Sequence, residues 1–170
     1  DRLFRNRGDG TFEDVTDRSG LSKIAGTKSY GQGVTVGDFD NDGRSDLFLT
    51  RRHAYLMLRN QGDDTFEDAT DRLGLGGERD WPTSAAFADF DNDGDLDLYV
   101  CHYLEWDDGN PRPCRDGDGR PTYCEPRILS SLPDHLFRNN GHRFVDVTNE
   151  AGIVDIDGRG LGVVASDWND

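Results

Sequence analysis

Two short phrases, each written three times and interleaved, constrain this chain more than anything else in it. The first reads Leu3-Phe4-Arg5-Asn6, a Gly-rich turn, then Thr11-Phe12-Glu13-Asp14-Val15-Thr16 and Ser19-Gly20-Leu21. It returns as Leu58-Arg59-Asn60 with Thr65-Phe66-Glu67-Asp68-Ala69-Thr70 and Leu73-Gly74-Leu75. The third copy is Leu136-Phe137-Arg138-Asn139 with Arg143-Phe144-Val145-Asp146-Val147-Thr148 and Ala151-Gly152-Ile153. The second phrase reads Gly37-Asp38-Phe39-Asp40-Asn41-Asp42-Gly43, then Ala88-Asp89-Phe90-Asp91-Asn92-Asp93-Gly94, then Ser166-Asp167-Trp168-Asn169-Asp170. Phe12 and Phe66 lie 54 residues apart, Asp38 and Asp89 lie 51 apart, and each third copy follows after 78. Periods of this size belong to propellers and solenoids, and the longer interval implies an insertion of about 25 residues that maps to a loop.

Strand signals fill the unit. Gly33–Val36 and Ser84–Ala88 are short apolar runs before each acidic phrase; Leu47-Phe48-Leu49-Thr50 and Leu98-Tyr99-Val100 follow it, rich in β-branched and aromatic residues. The Leu-Phe-Arg-Asn and Thr-Phe-Glu-Asp phrases flank a glycine turn, as the arms of a hairpin do. Four short antiparallel strands per unit make a propeller blade. The expected fold is therefore all-β: a partial β-propeller of about three blades' worth of four-stranded antiparallel sheet, cut from a larger ring. Residues 1–32 supply the outer strands of a first blade and a linker. Residues 33–83 form a second blade, residues 84–160 a third with a cysteine-containing insertion at 102–134, and residues 161–170 open a further one. Three blades cannot close a ring, so the remaining blades of a longer chain are the first expected partner.

The acidic phrases carry the chemistry. Of 34 acidic residues 28 are aspartate, a poor helix former but a good turn and hard-cation residue. Asp38, Asp40, Asp42 and Asp46, and likewise Asp89, Asp91, Asp93, Asp95 and Asp97, crowd carboxylates that repel unless a cation sits among them. Oxygens at positions 1, 3 and 5 with glycine at 6 repeat the first half of an EF-hand loop. Position 7, Arg44 or Asp95, is expected to offer its backbone carbonyl, and position 9, Asp46 or Asp97, the closing carboxylate. An all-oxygen set selects Ca²⁺ over Zn²⁺ or copper, and a crowded protein cage suits Mg²⁺ poorly. Solvated Asx-turns are the plainer reading, but two matches at one phase of a repeat argue against coincidence. Asp167 and Asn169 start a third, truncated site. The strands expected after each loop exclude a dockerin-like module, which needs helices there.

Asp-Phe-Asp-Asn-Asp-Gly-x-x-Asp within blade-sized units resembles the FG-GAP/VCBS repeats, and is similar to the calcium-loop blades of integrin α-subunits. Leu136-Phe137-Arg138-Asn139-Asn140-Gly141, Phe144-Val145-Asp146-Val147-Thr148 and the insertion ending Tyr123-Cys124-Glu125-Pro126-Arg127 resemble, more narrowly, the ASPIC/UnbV (cartilage acidic protein-like) group. Glu125 departs from the group's Cys-Gly-Pro pattern. The resemblance implies seven blades when complete, Ca²⁺ in the hairpin loops, and an extracellular, periplasmic or cell-surface setting. Cys114 and Cys124 bracket nine residues of the insertion, where a disulfide would staple a loop without a core; the resemblance adds weight to that pairing over two free thiols. Cys101 reads as a small buried hydrophobe.

The remaining features argue for binding rather than catalysis. A net charge of −15 lacks the basic footprint of a nucleic-acid partner, and no apolar run approaches the ~20 residues of a membrane span. His53, His102, His135 and His142 are scattered and read as surface or rim residues; no serine lies in a G-x-S-x-G turn. Asp107-Asp108 and Asp116/Asp118 read as turn residues. Arg7-Gly8-Asp9 spells an adhesion tripeptide, but it also falls on the repeat's own hairpin turn. The expected function is a calcium-stabilised scaffold for a protein or glycan ligand. The alternative is part of a secreted carbohydrate-active enzyme, with Trp81, Trp106 and Tyr103 stacking sugar instead of packing within the blades.

Overall fold

The structure, a computed structural model, describes residues 1–24, 30–154 and 157–166. Strands β1 (Phe4–Asn6) and β2 (Phe12–Asp14) form a hairpin, followed by a one-turn helix α1 (Leu21–Ile24). Strands β3 (Gly31–Gly37), β4 (Asp46–Arg51), β5 (Ala54–Asn60) and β6 (Phe66–Asp68) make one antiparallel sheet in sequence order. Strands β7 (Pro82–Ala88) and β8 (Asp97–His102) begin a second sheet. After the insertion, with its own small hairpin of β9 (Cys114–Arg115) and β10 (Pro121–Thr122), β11 (His135–Asn139) and β12 (Phe144–Asp146) complete it. The architecture is a partial β-propeller: an outer hairpin and two four-stranded blades. The strands run up to two residues beyond the apolar runs at either end, because ladder pairing extends through polar positions such as Asp46 and Asp97.

The repeated phrases each do a local job. Asp14, Asp68 and Asp146 accept the amide and hydroxyl of Thr16, Thr70 and Thr148. Those hydroxyls in turn accept the amides of Leu3, Met57 and Leu136, which locks the outer hairpin of each unit. Asn6, Asn60 and Asn139 accept the amide of the glycine two residues on, shaping the turn.

Alternation along β4 and β5 sends Phe48, Tyr55 and Met57 to one face and Leu49, Leu56 and Leu58 to the other. The first set packs with Leu98, Val100, Phe137 and Phe144 of the β7–β8–β11–β12 sheet, and the other with Leu3, Leu21 and Ile24 of the first unit. The innermost strands β3 and β7 run side by side, and glycine makes this possible: a Cβ on Gly33 would lie 2.5 Å from the Thr83 carbonyl oxygen.

Residues 157–166 carry no strand. Gly160 donates its amide to the His102 carbonyl and accepts the Thr83 hydroxyl, so this stretch lies on the ends of β7 and β8. A strand exists only with a ladder partner, and no described residue offers one there. Asp167 and Asn169 lie outside the described residues.

Candidate metal centres

Each acidic loop joins the first two strands of its blade, β3 to β4 and β7 to β8. The two loops have one backbone. In residues 38–46, Asp38 accepts the amides of Asp42 and Gly43 at 3.0 and 2.8 Å, and Asp42 accepts that of Arg44. In residues 89–97, Asp89 accepts the amides of Asp93 and Gly94 at 3.1 and 3.0 Å, and Asp93 accepts that of Asp95. Asn41 and Asn92 take left-handed φ values of 56° and 60°, and Gly43 and Gly94 of 82° and 93°. Asparagine and glycine are the residues that tolerate this conformation, which is why position 4 is Asn and position 6 is Gly.

Position 9, expected to close the loop as a ligand, is a structural brace. Asp46 is fully buried and accepts the amides of Phe39 and Asn60; Asp97 accepts those of Phe90 and Asn139. Each carboxylate thereby ties the loop to the third strand of its blade. Burial, helped by the neighbouring charges of Asp40 and Asp42, pushes the Asp46 carboxyl up to about 6 against its two amide donors. Asp97 is raised for the same reasons, with Asp91 and Asp93 as its neighbours.

Carboxylate oxygens converge in both loops: those of Asp38, Asp40 and Asp42 lie within 4.8 Å of one another, as do those of Asp89, Asp91 and Asp97. The donor set is oxygen throughout. In the first loop, Asp40 Oδ1 is buried and has no hydrogen-bond partner, a lone pair that fits a hard cation. Asp46, Asp93 and Asp95 stand outside these two clusters. Asp95 instead accepts the Asn41 side-chain amide at 2.7 Å, a direct link between the loops. The Arg44 side chain turns into its own loop and pairs with Asp42, a role that an expectation of its backbone carbonyl alone had missed.

The sequence from residue 1 to 49 and again from 38 to 100 matches the FG-GAP-like repeat family. The chain belongs to that family. Its FG-GAP-like repeats carry both acidic loops inside the matched span. Cartilage acidic protein 1 is a relative: the Xenopus tropicalis protein is 26% identical over 175 residues, the human protein 26% over 176 and the mouse protein 24% over 176. Each alignment covers 98% of this chain but only 22–23% of the relative, so the chain spans about a quarter of their length.

Outside the loops, Cys114 and Cys124 are joined, with Cα atoms 5.2 Å apart. Cys101 is buried on β8. Asp9 of Arg7-Gly8-Asp9 accepts the amide and hydroxyl of Thr11, as Asp63 does from Thr65 in the next unit. Its carboxylate shapes the turn. The Trp81 ring lies under the Arg52 guanidinium at 4.3 Å and against Tyr103 at 5.3 Å. His102, expected on the surface, is a correction: it is 2% exposed, because β8 alternation points it at the neighbouring blade, where Nε2 meets the Tyr55 hydroxyl at 2.7 Å. The residues that sequence reasoning overlooked at the loops are Arg59, Asn41 and Asn139. Arg59 donates to Asp40 and Asp42, and Asn139 donates to the Phe39 carbonyl of the adjacent loop. Both recur at fixed places in the repeat, which was the available signal.

Proposed function

We propose that this chain is a calcium-binding segment of a β-propeller, working as a binding or adhesion scaffold outside the cytoplasm. The observation that carries the reading is the convergence of three carboxylates in each of two loops at the same phase of the repeat, one with a buried, unpartnered oxygen. Ca²⁺ there would neutralise carboxylates that repel one another and fasten the hinge between the first two strands of each blade. The disulfide supports an oxidising compartment. So does the kinship to proteins named for cartilage. Among the described residues no helix is long and apolar enough to cross a membrane. Adhesion to a protein or glycan remains the expectation for the ligand, on the analogy of calcium-loop propellers.

Extracellular modules bind Ca²⁺ at about 10⁻⁴–10⁻³ M, and at tenfold excess over Kd each site adds about 1.4 kcal/mol. Two sites correspond to a rise in melting temperature of about 5–10 °C for a chain of this size. EDTA is expected to lower the melting temperature by that amount and Ca²⁺ to restore it better than Mg²⁺. A melt indifferent to EDTA removes the reading. Asp91→Ala is expected to abolish most of one site's calcium heat in titration calorimetry. For the carbohydrate-enzyme alternative, Trp81 is a poor sugar platform, since Arg52 already covers one face and Tyr103 packs against the ring.

A further inference from the structure

The two acidic loops share a backbone and differ in charge. Around residues 38–46, four carboxylates (Asp38, Asp40, Asp42, Asp46) stand with two guanidinium groups, a formal charge of −2. Arg59 reaches across from β5, with Nε on Asp40 and a second nitrogen 2.9 Å from Asp42. Arg44 pairs with Asp42 and is anchored by its Nε to the Asn60 carbonyl at 3.0 Å. Around residues 89–97 there are five carboxylates, a formal charge of −5. Asp95 occupies the place of Arg44. Arg138 occupies that of Arg59, but it is exposed, and among the described residues no ion pair joins it to the loop.

We propose that Arg44 and Arg59 do for the first loop what a divalent ion does for the second. Residues 38–46 are held closed by their own guanidinium groups, and residues 89–97 close on the ion. The physical reason is charge. Like charges at this separation repel unless screened, and a fixed cation relieves that repulsion as an ion would. A guanidinium fork bound to two carboxylates does it with directed hydrogen bonds. The same groups oppose an entering divalent ion. Asp40 Oδ1 stays available, so the first loop still takes Ca²⁺, but after the second. The order of filling rests on the calcium reading above; the arginine brace does not.

Hydrogen exchange read by mass spectrometry on the chain tests both halves, with EDTA and then CaCl₂ as the probe. In EDTA the amides of residues 42–44 are expected to exchange at least tenfold more slowly than those of residues 93–95. CaCl₂ is expected to protect residues 93–95 at about tenfold lower concentration than residues 42–44. Arg59→Gln, and separately Arg44→Gln, is expected to speed exchange at residues 42–44 in EDTA and to bring that loop's calcium requirement down toward the other's. Amides of the β4–β5 ladder, residues 48–50 and 56–58, unchanged in both variants, report that the blade is still folded, and Arg59→Lys, which keeps the charge but not the fork, restores the brace only in part. Equal exchange of the two loops in EDTA, or no effect of either glutamine variant, overturns the proposal. If millimolar Ca²⁺ protects neither loop, the calcium reading and the filling order fall together, while the EDTA comparison still decides the brace.

Discussion

One face of the middle blade meets four strands and the other meets two. Toward the β7–β8–β11–β12 sheet, Phe48, Tyr55 and Met57 are at most 4% exposed and join a continuous cluster with Leu98, Val100, Phe137 and Phe144. The cluster includes edge-on packing of Tyr55 against Phe137 at 5.9 Å. Polar ties cross the same seam: the Thr50 hydroxyl donates to the Thr83 carbonyl at 2.7 Å, and Asn139 donates to the Phe39 carbonyl at 2.8 Å. On the other face Leu49, Leu56 and Leu58 are buried by α1 and the start of the chain, but among the described residues little packs on β3. Val34 and Val36 stay 63% and 58% exposed beside a recess of about 470 Å³. The contrast teaches that a blade here does not own a core. Its burial is made by the neighbour, and half a neighbour closes half a face.

Truncations on the two faces should therefore differ. Phe48→Ala, in the complete seam, is expected to cost about 3–5 kcal/mol by denaturant unfolding, and Leu49→Ala about 2 kcal/mol, the low end for a buried leucine. Equal costs would break the comparison.

Acid should find the complete seam next. His102 is buried there with Nδ1 lacking a partner, its ring 4.9 Å from that of His135; burial first, then the positive charges of His135 and Arg79, push it down to about 3. In the unfolded chain the same imidazole titrates near 6.5. Its contribution is thus complete above pH 6.5 and lost as pH falls toward 3, by about 1.4 kcal/mol per unit. Asp46, raised to about 6, acts in the opposite sense: without metal its burial costs least once it is protonated. The difference between wild type and His102→Gln across pH 6.5–5 isolates the histidine, and parallel profiles would refute its role. The smallest effect is expected at β3. Val34→Thr should change stability by no more than about 0.5 kcal/mol in this chain. A larger loss would mean that β3 is covered in solution, for instance by a second copy, and the melting temperature would then depend on protein concentration.

The repeat, and with it the blades, is legible from the residues alone. Periodicity needs no long-range information: a glycine turn between Leu-Phe-Arg-Asn and Thr-Phe-Glu-Asp specifies a hairpin locally, and Asp at alternate positions before Gly specifies a tight acidic loop. The aspartates that converge, Asp38, Asp40, Asp42, Asp89, Asp91 and Asp97, were legible for that reason. Only the tertiary structure decided which side chains come to those aspartates from other strands. Arg59 reaches the first loop because β5 pairs with β4, whereas among the described residues no ion pair joins Arg138, in the same phrase, to the second. His102 looked like a surface residue because nothing within its own strand reveals the neighbouring blade. Contacts between units depend on how whole sheets stack, and a repeat unit read alone carries no record of the unit beside it.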